Sequence, residues 1–299
     1  MNATFSLFPK FFKHLSVEAL AELVGEVGLD TTNLVVREGY WADRYDLAET
    51  LPAFVEAMRS AGVEVTFATT GLSPDQLLFD PTPLKIFADS GITQFRMDYF
   101  RQVEGQDIRM SFVTARHKLQ LMVDLCAEAK VRAIYQVHHG TLIPSASAAF
   151  GLINGMDSEW VGVELDPGNQ AFEGHERPAL SVGLLGEYLA AVGVKDTTVS
   201  RDPARAAEPD KGWKRTWTTL DEGETNWHEL AAALHEADFA GHLVFMPFYD
   251  ADAPDAMTAK LRRDVAYLRK AIADVEAAAK ARAAEEAEQA DGAEQDAPS

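Results

Sequence analysis

Eight short apolar or alternating runs, separated by amphipathic segments through most of a 299-residue chain, predict an α/β fold of the (β/α)8 barrel type. The steady alternation of strand and helix favours parallel pairing with helical crossovers, and 47% hydrophobic content is enough for one large core. An open doubly wound sheet is the alternative on the same pattern. Neither G-x-G-x-x-G nor G-x-x-x-x-G-K-[ST] is present to support its nucleotide-binding form.

Taken in order, the strand runs are "TFSLFP" at 4–9, "NLVVR" at 33–37, "VEVTFATT" at 63–70 and "TQFRM" at 93–97. They continue with "VRAIYQVH" at 131–138, "WVGVELD" at 160–166, "AAVGVKD" at 190–196 and "HLVFMPF" at 242–248. Between the first two, Ser16 is placed to cap a helix with Val17, Leu20, Val24 and Val27 on one face, and Gly28 stands where such a helix ends. Leu51, Phe54, Val55 and Met58 mark the next helix before Gly62. Leu119, Met122, Val123 and Cys126 mark another, and Leu261, Val265 and Leu268 the last. The spacing places a barrel domain over 1–275. Residues 276–299 are acidic, alanine-rich and free of aromatics, a composition that predicts a disordered, solvated tail. The stretch 197–219 is long for a connection and carries two tryptophans, which suits a loop over a binding site.

A formal net charge of -20 and a pI near 4.7 argue against nucleic acid and anionic membrane surfaces as partners. The single Cys126 cannot form an internal disulfide. The first residues lack the basic and apolar regions of a secretory signal, and no run reaches the roughly 20 apolar residues of a membrane span. These features lead to an expectation of a cytoplasmic protein.

In a barrel of this kind the functional groups come from the C-terminal ends of the strands. Polar residues gather at those ends here. Strand two closes on Arg37 and Glu38, strand three on Thr69 and Thr70, strand four on Arg96 and Asp98. Strand five closes on Gln136 and His138, strand six on Glu164 and Asp166, strand seven on Lys195 and Asp196. Residues two apart on a strand share a face, so these pairs are expected to converge on one pocket. Arg96 and Asp98 also suit a bracing ion pair, Glu164 the role of buried partner to a cation, and His139 a structural role. Glu173 and His175 are weaker candidates for the mouth.

The segments "YQVHHGT", "VGVELDPGN", "VGVKD" and "EGETNWHELAAALHEADFAGHL", in that order and spacing, resemble the sugar phosphate isomerase/epimerase family of the xylose-isomerase-like TIM-barrel superfamily. The resemblance implies a carbohydrate substrate and a divalent metal, Mn²⁺ or Mg²⁺, held by a Glu, an Asp, a His and a second Glu. Carried over by position, Gln136 stands at the first glutamate, Asp166 at the aspartate, Gly193 at the histidine and Met246 or Pro247 at the last glutamate. His138, Asn169 and Lys195 match the family pattern. The ligand set is therefore incomplete, with Gln136, His138 and Asp166 as the remaining candidate donors.

Without a full metal set, proton abstraction beside a carbonyl needs a side-chain base and a cation. His138, Asp166 and Lys195 are the candidate catalytic residues. Lys195 and Arg96 suit an oxyanion, and Trp213, Arg215 and Trp217 suit closure over a sugar ring. Glu38, Arg96, Gln136, His139, Asn169, Asp196, Arg215 and Trp217 form the wider set of expected substrate contacts. A non-catalytic carbohydrate-binding or regulatory barrel is the competing expectation, favoured by the losses at Gly193 and Met246. A DNA-repair endonuclease lacks the basic groove and crowded metal cluster it would need.

Overall fold

The computed structural model describes residues 1–249 and 253–295. Nine parallel strands form one sheet: β1 (Thr4–Leu7), β2 (Thr31–Thr32), β3 (Leu34–Val35), β4 (Phe67–Thr69), β5 (Gln94–Arg96), β6 (Arg132–Gln136), β7 (Val161–Leu165), β8 (Leu189–Val194) and, after a hairpin, β11 (His242–Phe245). β1 pairs with β11 on one side and β2 on the other, while β3 pairs with β4. β2 and β3 are separated only by Asn33, so they are two halves of one strand, and that strand joins the two ends of the sheet. The ring thus has the eight strand positions expected from the sequence, each within a few residues of its run.

Asn33 explains the break. Its backbone N–H donates to Leu7 O at 2.7 Å, its Oδ1 accepts from Ser6 Oγ at 2.6 Å and its Nδ2 donates to Thr69 Oγ1 at 3.3 Å. A buried amide linking three neighbouring strands is satisfied only if the backbone turns locally out of the ladder.

The helices are α1 (Val17–Glu26), α2 (Leu47–Ser60), α3 (Pro74–Phe79), α4 (Thr82–Asp89), α5 (Ile108–Ala129), α6 (Ala146–Ile153), α7 (Pro167–Gln170), α8 (Pro178–Leu185), α9 (Trp227–Glu236) and α10 (Pro254–Gln295). Ser16 caps α1 by accepting from Ala19 N, as its position predicts. The larger apolar cluster lies between helices and sheet; Val35, Phe67, Ile134, Ala191, Val244 and Met246 form a second one that fills the ring. The ring is therefore a packed plug with functional groups confined to one end.

Two segments differ from expectation. The stretch expected to be a loop over 197–219 is an antiparallel hairpin, β9 (Asp196–Arg201) with β10 (Trp213–Thr218). Its threonine, valine and tryptophan content favours strand over coil. Of the tail expected over 276–299, residues up to Gln295 continue α10, with exposed side chains from 281 to 289, and 296–299 lie outside the described residues. Alanine, glutamate and lysine are strong helix formers, and a helix already nucleated by packing extends at little cost. Among the described residues no helix is long and apolar enough to cross a membrane.

Asp264 ties α10 to the segments that follow β10 and β11. It is 3% exposed, accepts from Leu220 N at 2.9 Å and from Tyr249 OH at 2.5 Å, and burial pushes its pKa up to about 7. A carboxyl whose folded pKa is raised from 3.8 to about 7 contributes stability that is complete below pH 3.8 and lost as pH rises through 7. The unfolding free energy is expected to fall across that window by up to about 1.4 kcal/mol per pH unit. Urea titrations from pH 4 to 8 check this, with Asp264→Asn expected to flatten the slope.

Candidate active site

The C-terminal ends of β5, β6, β7 and β8 bring together a connected polar array. Inward parity delivers Arg96, Gln136, Glu164 and Asp166 into the ring, and Lys195 follows β8 by one residue. All five are at most 6% exposed. Gln136 is the bridge. Its Oε1 accepts from Arg96 Nη1 at 2.6 Å and from Tyr99 OH at 2.6 Å, while its Nε2 donates to Asp166 Oδ2 at 2.6 Å. Donors on one side and a carboxylate on the other fix the amide in this orientation.

Asp166 begins the single turn α7, in the sequence "DPGN". Proline at the first helical position and an aspartate cap make the turn local in origin. The cap is one of four donors to this carboxylate: Asn169 N at 2.9 Å to Oδ1, and Asn169 Nδ2 at 2.7 Å, Gln136 Nε2 at 2.6 Å and Lys195 Nζ at 3.1 Å to Oδ2. Complete burial pushes its pKa up, against the Lys195 ammonium and these donors. Gly168 is required here, since a Cβ would sit 2.8 Å from Lys195 O and 3.0 Å from Trp217.

Lys195 also donates to Asn169 Oδ1 at 3.2 Å, and its Nζ lies 4.6 Å from the ring centres of both Trp217 and Phe248. With two of its three N–H groups engaged, the third is left for the cavity it lines. Arg96 also bonds Tyr99 OH and donates to Thr70 O at 3.2 Å, but its buried Nε has no partner among the described residues. Glu164, one layer deeper among apolar side chains, has an unpartnered Oε1, and burial raises its pKa to about 8.

His138 stands just past β6, outside the strand. Its Nδ1 is 2.7 Å from His139 O. A carbonyl only accepts, so Nδ1 carries the hydrogen and Nε2 is the unprotonated nitrogen of the neutral ring. Burial, with the Lys195, His139 and Arg96 charges, lowers its pKa to about 4. Tyr99, His138, His139, Phe172, Trp217 and Phe248 surround the mouth in successive ring contacts of 4.1–5.5 Å. The cavity inside this rim has a volume of about 230 Å³ and is bounded by Lys10, Arg37, Thr69, Arg96, Tyr99, Gln136, His138, Lys195, Met246 and Phe8 with Phe248.

Of the expected contacts, Arg96, Gln136, Asp166, Asn169 and Lys195 are joined in one network, to which His139 is bonded through Asn169 Oδ1 at 3.0 Å; His138 lines the cavity beside it, and Trp217 stands at the rim. Three lie elsewhere. Glu38 is exposed in an adjoining groove with Arg44 and Gln76. Asp196, one residue after Lys195, faces the opposite way and binds Thr225 and the Trp227 indole N–H at 2.8 Å. Arg215 pairs with Glu224 at 2.6 Å on the hairpin. Asp98 pairs with Arg101 at 3.0 Å, so the Arg96–Asp98 brace is replaced. Arg37 and Thr69 line the cavity as their strand-end positions lead one to expect, whereas Lys10, Tyr99 and Phe248 line it without having been expected there; a lysine between aromatic residues in "FPKFF" is the one signal for the first.

The donor chemistry does not fit a divalent metal. Asp166 Oδ2 is occupied by two amide N–H groups and an ammonium, Gln136 presents donors where an acidic ligand is implied, and Gly193 and Met246 offer no oxygen. Among the described residues no three His, Cys, Asp or Glu side chains are grouped to hold a metal ion.

A family model for xylose isomerase-like TIM barrels matches residues 21–271. No curated protein matches the sequence. Among solved structures, an L-ribulose 3-epimerase superposes with a TM-score of 0.71 at 13% identity, covering 93% of this chain and 97% of that one. D-psicose 3-epimerase, crystallised in the presence of D-fructose, gives 0.69 at 13% identity with 90% and 99% covered. A xylose isomerase-like TIM-barrel protein from Mycobacterium smegmatis in complex with magnesium gives 0.62 at 14% identity with 90% and 97% covered. At these identities the likeness is one of fold.

Replacing Lys195 by methionine removes the only cation paired with Asp166 among the described residues. The loss expected is about 3–5 kcal/mol in chemical unfolding, smaller for the Asp166→Asn, Lys195→Met double variant, in which no carboxylate is left unpaired.

Proposed function

The chain belongs to the xylose isomerase-like TIM barrel family, and from that premise we propose that it is a sugar isomerase/epimerase-like enzyme that works by proton abstraction beside a carbonyl, without a metal. The observation that carries this reading is the Lys195 ammonium on Asp166, with an N–H free toward the cavity and the neutral His138 on the same wall. The solved sugar epimerases of the same fold support the carbohydrate class.

A sugar seats against the aromatic rim, whose faces suit C–H groups while the polar floor suits hydroxyls. His138 Nε2 takes the proton from the carbon next to the carbonyl. The electron pair of the broken C–H bond forms the carbon–carbon double bond of an enediolate, whose oxygen receives the Lys195 N–H and the unpaired N–H groups of Arg96. Asp166 acts through Lys195 by holding it in place, and is a positioning residue. His138 is the neutral base among the cavity-lining residues described, so returning the proton to the former carbonyl carbon on the same face is favoured; with the hydroxyl proton passing from the neighbouring oxygen to the former carbonyl oxygen, the carbonyl re-forms on the adjacent carbon, which is isomerisation. Epimerisation at one carbon asks for a second group on the opposite face.

The donor losses at Gln136, Gly193 and Met246 favour a second reading, a carbohydrate-binding barrel without turnover. Incubation with ketoses in D₂O separates the two by NMR: the enzyme exchanges the hydrogen next to the carbonyl, and the binding barrel does not. His138→Gln is expected to slow exchange by roughly 10²–10⁴-fold and Lys195→Met by roughly 10²–10³-fold. Because His138 protonates only near pH 4 in the free protein, kcat/KM is expected to stay level from neutral pH down to about 5 and fall below that. Undiminished exchange in His138→Gln removes His138 as the base.

A further inference from the structure

Four cationic side chains, Lys10, Arg37, Arg96 and Lys195, line the cavity, and no carboxylate does. This stands out in a chain of net charge -20. Lys195 is answered by Asp166. Arg96 is bonded only to neutral oxygens, of Tyr99, Gln136 and Thr70. Among the described residues, neither the Lys10 ammonium nor the Arg37 guanidinium has an ion-pair partner; Lys10 Nζ instead lies 5.0 Å from the Phe248 ring centre and 5.4 Å from that of Phe11.

Lys10 and Arg37 are half-buried, whereas Arg96 and Lys195 are 6% and 4% exposed, so the first two form the outer end of the cavity and the last two its floor. Holding like charges together out of water is unfavourable unless an anion joins them. Burial lowers the Lys10 pKa, with the Arg37, Lys195 and Arg96 charges adding to the effect; burial followed by Arg96 lowers that of Arg37, against smaller opposing effects of Tyr40, Tyr99 and Asp98. A guanidinium beside an ammonium is also a suitable pair for oxyanions, the first binding in a fork and the second as a point charge.

We propose that Lys10 and Arg37 form an anion subsite at the outer end of the cavity, which holds the phosphate or carboxylate of a sugar derivative while its carbonyl end reaches Lys195 and His138. This rests on the proton-abstraction reading for what happens at the floor, and on the cavity alone for the anion. Lys10 comes from the turn after β1 and Arg37 from the end of the β3 segment, so neighbouring strands supply the pair.

The test has two parts. Calorimetry with inorganic phosphate, at ionic strength matched with chloride, is expected to show binding to the wild-type chain and at least tenfold weaker binding to the Lys10→Met, Arg37→Met double variant. Circular dichroism and the single variants guard against misfolding. Deuterium exchange is then measured on a neutral ketose, its monophosphate and the matching sugar acid. An anionic compound is expected to exceed its neutral parent at least tenfold in kcat/KM, with the ratio falling toward one in the double variant, and the better of the two anions identifies the source. Equal exchange on neutral and anionic compounds overturns the subsite and leaves the enzymatic reading standing. Phosphate binding that depends on Lys10 and Arg37, with exchange on none of the compounds, overturns the enzymatic reading and leaves the subsite. Phosphate binding that is absent, or the same in both proteins, overturns the subsite.

Discussion

The wholly buried Asp166 carboxylate is the constraint on which the rest of the site depends. A charge with no solvent needs donors, and it finds four of them in Asn169, Gln136 and Lys195. Each of those partners is fixed in turn. Asn169 is held by the α7 turn that Asp166 itself caps, Gln136 by Arg96 and Tyr99, and Lys195 by the two aromatic faces at its sides. The catalytic proposal draws its order from this: the ammonium points where the carboxylate lets it point.

Charge is distributed with a clear division. The acidic residues that give the chain its net charge lie mostly on the exposed surface, while the cavity presents cations. Low-dielectric walls concentrate that local field, so the sign felt by a small solute at the mouth is set by the lining and not by the total. His138 responds to the same field. Lys195 and Arg96 help keep it neutral in the empty cavity, and an anion bound near Arg37 would offset them and make it a stronger base.

The barrel was legible because it depends on coarse features: period-two runs for buried strands, caps such as Ser16 for helices, and alternation of the two. What escaped depends on single contacts. Asn33 interrupts its strand through side-chain bonds to two neighbours that no local pattern announces. Parity brought Arg96, Gln136 and Asp166 together, since residues two apart share a face, and the same rule shows why Asp196 fails: adjacent to the inward Lys195, it points outward to Trp227. Lys10 and Tyr99 lie beyond their strand ends, where backbone direction is set by tertiary packing.

The departures from the metal-binding pattern of the resembled family form a coherent set. A glutamate at 136 would place a second carboxylate against Asp166 Oδ2 at the 2.6 Å now spanned by an amide N–H, and repulsion would demand a proton or a cation between them. The glutamine supplies the hydrogen instead. At 193 even a Cβ would come within 2.9 Å of Asp166 Oδ2 and 3.3 Å of Met246, so the position that a ligating histidine would fill is closed by the carboxylate itself. Met246 brings its sulfur to 3.7 Å from Gln136 Nε2 and adds no charge. The Asp166 carboxylate has its needs met by amides and an ammonium, so the positive charge beside it is carried by a side chain, while Glu164 one layer deeper keeps an Oε1 with no partner among the described residues.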